Sequence, residues 1–211
     1  VQDGDAAPVG NSLILASVST FFAMILGTIA AYSLVRFKTG GENLAVWIIS
    51  QRMMPPVAIV FPLFLVYVWL GWVDTYIGLI LLYTAFSLPY VIWMMRGYIE
   101  DIPLELEESA LVDGCTRWEV LWKVVLPIAR SGLVATAVFT FVFSWNDFLV
   151  AMFLTNLDSK PLSVALLAAF GTKDITWGTL GALAHFSTIP IMLMALFLNR
   201  YFVQGLTRGV H

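Results

Sequence analysis

Long apolar runs without a single charge constrain this chain more than any other feature of its sequence. The first, residues 13–35, contains no Asp, Glu, Lys or Arg and is long enough to cross about 30 Å of hydrocarbon as an α-helix. Over the whole chain 60% of the residues are apolar and 12% are charged, about half the charged fraction of a soluble domain. The sequence therefore predicts a membrane protein and excludes a disordered chain, a disulfide scaffold and a free cytosolic enzyme.

Four more segments have the same character, and we predict an all-α, polytopic membrane fold in a single domain, residues 1–211. The five predicted spans are residues 13–35, 44–70, 76–95, 131–154 and 180–202. A Met-Met-Pro-Pro sequence at residues 53–56 predicts a break in the second span, because proline cannot continue the helical hydrogen-bond pattern. None of these segments alternates between apolar and polar residues as the strands of a membrane β-barrel do.

Basic residues are distributed unevenly between the loops, which predicts the orientation of the chain. If the stretch after the first span is cytoplasmic, most Lys and Arg residues lie on that side, and the outer side holds only Lys160 and Lys173. We therefore expect the N-terminus outside the cell and the C-terminus in the cytoplasm. Residues 1–10 form a polar external segment that does not have the pattern of a signal peptide, so we expect a further span upstream of them.

The segment between the third and fourth spans, residues 97–130, is predicted to form two short helices on the cytoplasmic surface. Pro103 suits the first turn of a helix, and the glutamates after it place negative charge near the helix N-terminus: Glu105, Glu107 and Glu108. Asp113-Gly114 ends this helix, because glycine readily adopts a left-handed conformation.

A second short helix is predicted to begin at Thr116, which together with Glu119 has the spacing of a capping box. We expect this helix to run to Leu126 and to be broken by Pro127. From physical reasoning alone, the two helices are either a connecting hairpin at the membrane surface or a docking element for a soluble partner.

The residues of this segment resemble the EAA loop in the permease subunits of binding-protein-dependent ABC importers. Glu108-Ser109-Ala110 is followed by three residues and Gly114, and nine residues later by Val124-Val125-Leu126-Pro127. The family pattern has alanine in place of Ser109 and isoleucine in place of Val124, and both changes preserve size and shape. Further segments, residues 72–76, 144–148 and 204–209, resemble the maltose-type, carbohydrate-uptake branch of this family. The similarity extends over essentially the whole chain and implies six spans, the first of which is missing here.

The resemblance implies that this chain is one of two permease subunits that together form a path for a sugar or polyol across the bacterial inner membrane. Two cytosolic ATPase subunits and an extracytoplasmic solute-binding protein are the other implied partners, and the second permease is expected to be a different chain. The sequence contains no phosphate-binding loop, so ATP and Mg²⁺ belong to the partner subunits. We expect no cofactor, no metal, no nucleic-acid partner and no catalysis in this chain.

The same resemblance implies roles for individual residues of the loop. Glu108 would meet a basic residue of the ATPase, Ala110 would pack closely against it, and Gly114 would allow the turn between the helices. Leu126-Pro127 would set the exit into the next span. The complete set of ATPase-coupling residues expected from the motif is Glu108, Ser109, Ala110, Asp113, Gly114, Val124, Leu126 and Pro127.

The fourth span carries a stripe of small and polar residues within about 120° of arc at 100° per residue. Its members are Gly132, Thr136, Thr140, Ser144 and Asp147, with Asn146 beside its end. One interpretation is a wall of a hydrated sugar path, formed by Thr136, Thr140, Ser144, Asn146 and Asp147. The alternative is close helix packing, with the Asp147 carboxylate satisfied by a neighbouring side chain.

Three other intramembrane features are interpreted as structural. Arg52 is expected to cap carbonyl groups freed by the adjacent prolines or to extend to the interface, with gating as the alternative. His185 is isolated and is expected to be a packed, hydrogen-bonded histidine rather than a proton relay. A repeat of small residues in the first span predicts a helix-packing face: Ser19, Ala23, Gly27 and Ala31.

Two other classes of protein compete with the importer subunit. An ATP-independent secondary transporter or channel would need repeated spans or several intramembrane ionisable groups, and a docking loop would serve no purpose in it. An intramembrane enzyme would need a catalytic constellation, which one cysteine, two histidines and one intramembrane aspartate do not provide.

Overall fold

The computed structural model describes residues 7–170 and 177–208, which form α-helices joined by short turns and contain no β-strand. The helices are α1 (Ala7–Arg36), α2 (Gly41–Ser50), α3 (Pro56–Leu70), α4 (Tyr76–Glu100), α5 (Leu104–Val112), α6 (Arg117–Val120), α7 (Leu126–Ile128), α8 (Arg130–Trp145), α9 (Leu149–Leu154), α10 (Leu162–Phe170) and α11 (Trp177–Arg208). The predicted all-α fold is therefore confirmed for this part of the chain.

Helices α1 and α4 pack along each other and form the centre of the fold. The small residues predicted to be a packing face of α1 are all buried: Ser19, Ala23, Gly27 and Ala31. A Cβ atom at Gly27 would collide with the side chain of Val91 on α4, so glycine permits the close approach of the two helices. Helix α1 begins at Ala7, so residues 7–10, which we predicted to be an external segment, belong to the helix.

The predicted break in the second span is confirmed. Helix α2 continues as a 3₁₀ turn at Gln51–Met53, and α3 then begins at Pro56 in a direction that differs by 88°. Met54 and Pro55 adopt extended conformations between the two helices, as expected for residues that precede proline.

The fourth predicted span, residues 131–154, is not continuous, and this expectation was wrong. Helix α8 ends at Trp145, and α9 begins only at Leu149. Two side chains compete with the helical backbone at this point: the Asn146 amide donates to Val142 O at 2.9 Å, and the Asp147 carboxylate accepts from Ala151 N at 3.2 Å. Asn and Asp favour such helix ends because their short polar side chains satisfy free backbone groups.

The segment after α4 has the predicted glycine turn and capping box. Gly114 has φ +90° and separates α5 from α6. At the start of α6 the Thr116 hydroxyl accepts from Glu119 N at 3.3 Å, and the Glu119 carboxylate accepts from Thr116 N at 2.9 Å. Helix α4, however, extends to Glu100, so the first residues of the predicted loop are helical.

The second short helix does not end at Leu126, contrary to our expectation. A π-type turn at Leu121–Val125 carries the chain through Pro127 to Ile128, with Leu126 N donating to Leu121 O. This wider turn accommodates the proline ring and its missing N–H, which conflict with a regular α-turn. The direction changes by 80° at Ala129, where α8 begins.

Two described helices, α1 and α4, are long and apolar enough to cross a membrane, and counting each of the two bent pairs as one span gives four. The fifth predicted span coincides with α11, in which Leu180–Leu196 is a shorter apolar stretch. The number of five spans stays a prediction.

Candidate functional sites

Residues 104–128, which we call the elbow, have one buried and one exposed face. The buried face packs against the ends of α1 and α4 through Val120, Leu121 and Val125. Most of the residues expected to couple to an ATPase lie on the exposed face: Glu108, Ser109, Asp113, Gly114 and Pro127. The other three are half-buried and pack on or beside the core: Ala110, Val124 and Leu126.

A buried ion pair fixes the elbow to α1. Glu107 is fully buried, and its Oε1 accepts from Arg36 Nε at 2.6 Å, while its Oε2 accepts from Tyr32 OH at 2.9 Å. Arg36 Nη2 also donates to Ile99 O and Ile102 O, each at 2.9 Å. From the sequence, Glu107 was expected only to place negative charge near the helix N-terminus, because nothing in the sequence shows that this side chain faces inward.

The exposed face of the elbow also presents apolar side chains. Val112 is 87% exposed, and the other large apolar residues there are about half exposed: Leu104, Leu106, Trp118 and Trp122. Trp118 and Trp122 form an edge-to-face pair with 6.0 Å between ring centroids. An exposed apolar patch with polar groups at its rim is typical of a surface that contacts another protein or a membrane.

The Glu119 carboxylate of the capping box also pairs with Lys123 on this exposed face. Lys123 Nζ donates to Glu119 Oε1 at 2.7 Å, and Thr116 donates from its backbone and its hydroxyl to Glu119 Oε2. The hydrogen bond from Lys123 and those from Thr116 lower the pKa of Glu119 to about 2. The same contact with Glu119 raises the pKa of Lys123.

A cavity of about 380 Å³ lies between the break before α3, the middle of α4 and the end of α8. Its polar lining consists of Gln51, Arg52, Tyr83, Ser87, Ser144 and Asp147. Aromatic and apolar groups complete the wall: Met54, Pro56, Ile59, Ala85, Phe86, Pro89, Phe143 and Val150. Such a combination of apolar walls and a few convergent polar groups is typical of a ligand site.

Arg52 is held at the wall of this cavity by aromatic rings. Its guanidinium carbon lies 5.0 Å from the Phe143 ring centroid and 5.6 Å from that of Tyr90. Its Nη1 donates to Phe86 O at 3.4 Å, in the turn of α4 that precedes Pro89. Among the described residues, the hydrogen bond of Arg52 therefore goes to α4 and not to a carbonyl group that Pro55 or Pro56 leaves without a partner.

The predicted stripe on α8 divides into two parts. Thr136 and Thr140 are fully buried and do not line the cavity, whereas Ser144 and Asp147 do. Ser144 also contacts Ser19 on α1, with the two hydroxyl oxygens 3.4 Å apart. The packing alternative therefore describes the positions of Thr136 and Thr140 in this subunit. Asn146 is exposed, and its side-chain amide donates a hydrogen bond to Val142 O at the end of α8.

The Asp147 carboxylate has protein partners, as the packing alternative requires. Tyr83 OH donates to its Oδ2 at 3.0 Å, and Ala151 N donates to the same oxygen at 3.2 Å. Its backbone carbonyl accepts from Ser163 Oγ at 2.6 Å. A carboxylate offers about four acceptor positions, so capacity remains for a further donor in the cavity.

Asp74 forms a second carboxylate site at the opposite end of α4 from the elbow, and sequence reasoning missed it. Its two oxygens accept from the N–H groups of Leu157, Asp158 and Ser159 at 2.9–3.1 Å, and from Ser159 Oγ at 2.9 Å. Burial opposes ionisation, but these donors hold the pKa of Asp74 well below its ordinary value. The site joins the turn between α3 and α4 to the loop after α9.

His185 is exposed, with its Nδ1 2.7 Å from Gly181 O one helical turn earlier. It is thus hydrogen-bonded as expected but not packed in a core. In the described part of the chain, His, Cys, Asp and Glu form no group that could hold a metal ion.

The apolar helices, the polar cavity between them and the exposed elbow define a membrane-transport subunit. Residues 23–208 match the family described as "Binding-protein-dependent transport system inner membrane component". The chain is 36% identical over 199 residues to the "Probable ABC transporter permease protein y4oR" of Sinorhizobium fredii, covering 94% of this chain and 72% of that protein. It is 34% identical over 202 residues to the "Trehalose/maltose transport system permease protein MalG" of Thermococcus litoralis, covering 94% and 73%.

Solved structures show the same fold. A chain of the MetNI methionine ABC transporter, in an inward-facing conformation, superposes with a TM-score of 0.72 at 20% identity and 92% coverage of both chains. A bacterial ABC transporter involved in the import of the acidic polysaccharide alginate gives 0.71 at 23% identity, covering 99% of this chain and 76% of that one. The chain belongs to the family of binding-protein-dependent inner-membrane transport components, the permease subunits of ABC importers. The members of this family are transport subunits rather than catalytic ones.

Proposed function

We propose that this chain is a permease subunit of a sugar importer and that the elbow couples it to a cytosolic ATPase. Among its relatives, one is named for trehalose and maltose transport, one for trehalose transport and two for diacetylchitobiose uptake. The solute class that these names support is a neutral oligosaccharide, sugar or related polyol. The other subunits would be a second permease, two ATPase subunits and an extracytoplasmic binding protein.

The observation that carries the coupling role is the combination of an exposed surface with a rigid attachment. Val112, Glu108 and Gly114 are exposed to a partner, while Glu107 on the same short helix is fully buried against Arg36. A movement imposed on the exposed face therefore moves the end of α1 with it, because the ion pair and the apolar contacts leave little freedom between them. A hairpin that only connects two spans needs no such attachment.

The coupling residues of the motif keep the roles that the resemblance implies. Glu108 would pair with a basic group of the ATPase, Ala110 with Ser109 would allow a close approach, and Asp113-Gly114 would form the tip of the turn. Val124 and Leu126-Pro127 would fix the exit towards α8. The elbow would then lie on the cytoplasmic side, which agrees with the distribution of basic residues.

The cavity beside Asp147 is the proposed segment of the solute path in this subunit. Ser144 and Asp147 are the members of the predicted path that line it, and the second permease would complete the wall. ATP and Mg²⁺ would be bound by the ATPase subunits alone.

The coupling role is tested with Val112→Asp in a tagged permease that is coexpressed with its second permease and ATPase. The matched control is Leu157→Asp, because Leu157 is 84% exposed but lies far from the elbow, in the loop after α9. We expect Val112→Asp to remain in the membrane fraction but to lose most copurifying ATPase and ATP-driven uptake, and Leu157→Asp to retain the ATPase. Equal capture of the ATPase by both variants would contradict the proposal.

A further inference from the structure

The cavity contains one basic side chain whose hydrogen-bonding capacity is largely unused. A guanidinium has five N–H donors, and Arg52 uses one of them in a 3.4 Å contact with Phe86 O. No acidic side chain among the described residues lies within ion-pair distance of it. Arg52 is exposed and lines the cavity, so its remaining donors are accessible to a group that enters the cavity.

The surroundings of Arg52 fix its direction without consuming its donors. The guanidinium lies over the rings of Phe143 on α8 and Tyr90 on α4. The face of an aromatic ring attracts a cation, but it does not occupy the N–H donors at the edge of the guanidinium plane. The planar group is therefore held in place with N–H groups free at the cavity wall. Arg96 offers a contrast, because its guanidinium contacts the Trp93 ring and also pairs with Glu100.

The other polar groups of the cavity are complementary to these donors. Asp147 provides a carboxylate with spare acceptor capacity, and Ser144 provides a hydroxyl that can donate or accept. Arg52 contributes donors only, whereas Asp147 and Ser144 can accept, so the wall offers both kinds of hydrogen-bonding group. Phe86 and Phe143 provide apolar surface beside them.

We infer that Arg52 is a solute-contacting residue that donates hydrogen bonds to hydroxyl oxygens of a neutral, polyhydroxylated solute in this cavity. The hydroxyl groups of a sugar ring need both hydrogen-bond donors and acceptors, and its C–H faces pack on aromatic rings. This cavity supplies donors, acceptors and aromatic rings. An anionic solute would leave the Asp147 carboxylate facing a like charge. This inference depends on the proposed function, since it assigns a contact within that path.

If Arg52 contacts the solute, the effect of replacing it on the transport rate should depend on single hydroxyl groups of the sugar. The complete importer is reconstituted in proteoliposomes, and the best transported of trehalose, maltose and diacetylchitobiose is compared with its monodeoxy analogues. Each rate in Arg52→Met is divided by the wild-type rate for the same compound, so that the preference of the binding protein cancels. We expect a loss of about 10- to 100-fold for the parent sugar, the size of one hydrogen bond from a charged donor. At least one monodeoxy analogue should show almost no loss, because the hydroxyl contacted by Arg52 is already absent.

Two variants and a control separate contact from structure. Arg52→Lys keeps the charge but not the planar donor group, so it should transport at an intermediate rate, and Arg96→Met should resemble the wild type. Assembly is checked by the yield of the purified complex and by its basal ATP hydrolysis. An equal loss for the parent sugar and every analogue would overturn the inference, because it would place the effect in the helix break or in the contact with the second permease. Absence of ATP-driven uptake of all three sugars by the wild type would overturn the proposed function as well.

Discussion

Glu107 and Arg36 form a 2.6 Å ion pair that joins the first helix of the elbow to the last residue of α1. Glu107 is fully buried and the Arg36 side chain is 10% exposed. If one of the two charges were removed, water could therefore not take its place as a partner of the other. We predict that Arg36→Met destabilises the protein by about 3–5 kcal/mol, the usual effect of leaving one buried charge without its partner. The measurement is chemical unfolding in detergent, followed by Trp fluorescence.

The same pair provides a test of its own mechanism. The double variant Arg36→Met/Glu107→Leu removes both charges and should recover most of the stability lost in Arg36→Met. The attachment of the elbow to α1 would then be apolar and less specific. We therefore expect the double variant to hydrolyse more ATP per solute molecule transported than the wild type. If the double variant were as unstable as Arg36→Met, desolvation of Glu107 would not be the cause.

Gly114 is the position in the elbow where backbone conformation alone requires glycine. Its φ is +90°, and a Cβ atom there would meet no neighbouring atom within 4 Å. Gly114→Ala should therefore cost about 1–2 kcal/mol through strain rather than through a clash. Gly97→Ala is the control, because Gly97 lies within α4 and also has open space around it, and it should be neutral or slightly stabilising.

A larger side chain at the tip of the elbow should affect coupling more than stability. We expect Gly114→Asp to remain in the membrane and to lose uptake, because its strained turn and added charge alter the docking surface. Uptake by proteoliposomes and ATP hydrolysis by the same preparation give the two quantities needed. Normal uptake per ATP hydrolysed in Gly114→Asp would remove the elbow from the coupling mechanism.

Much of this arrangement could be predicted from the sequence because it depends on local signals. The turn at Gly114, the capping box at Thr116 and the break at Pro55-Pro56 each follow from residue types within a few positions. The packing face of α1 follows from a four-residue spacing of small side chains.

Contacts between distant segments were not predictable in the same way. Glu107 and Glu108 are adjacent glutamates on one helix, yet only the first faces the core, and this depends on how α5 lies against α1. The break between α8 and α9 depends on Asp147 accepting from both Tyr83 and Ala151, of which only the second is local. Pro127 was a misleading local signal, because a π-type turn accommodates it.

Asp74 should make stability depend on pH only under acidic conditions. Its pKa in the folded protein is well below the value of about 3.9 expected for an unfolded chain, so its ionised form stabilises the fold. This contribution is complete above the unfolded pKa and is lost as pH falls below about 4. The difference in melting temperature between the wild type and Asp74→Asn should therefore be constant from about pH 8 to pH 5 and decrease below about pH 4.

Two features make Asp74→Asn a suitable comparison. Asn tolerates the left-handed conformation of this position, where φ is +58°, so the backbone should be unaffected. Asp158→Asn is the control, because the Asp158 side chain accepts none of the hydrogen bonds that hold the loop. A difference that grows rather than decreases towards low pH would show that the ionised form of Asp74 is not the stabilising one.

The Tyr83–Asp147 contact separates an architectural role from a role in the solute path. Tyr83→Phe removes a donor to the Asp147 carboxylate, and Asp147→Ala removes that acceptor and frees Ala151 N at the start of α9. The first change should cost about 1 kcal/mol and the second about 1–3 kcal/mol, because a buried donor is left without a partner. Their effects on stability should not add, since both variants remove the same hydrogen bond.

If Asp147 also contacts solute, its replacement by Asn should lower uptake well beyond the effect of Tyr83→Phe, at similar stability and basal ATP hydrolysis. Uptake that follows stability in all three variants would leave Asp147 as the residue that ends α8 and begins α9, and would remove it from the proposed solute contacts in the cavity.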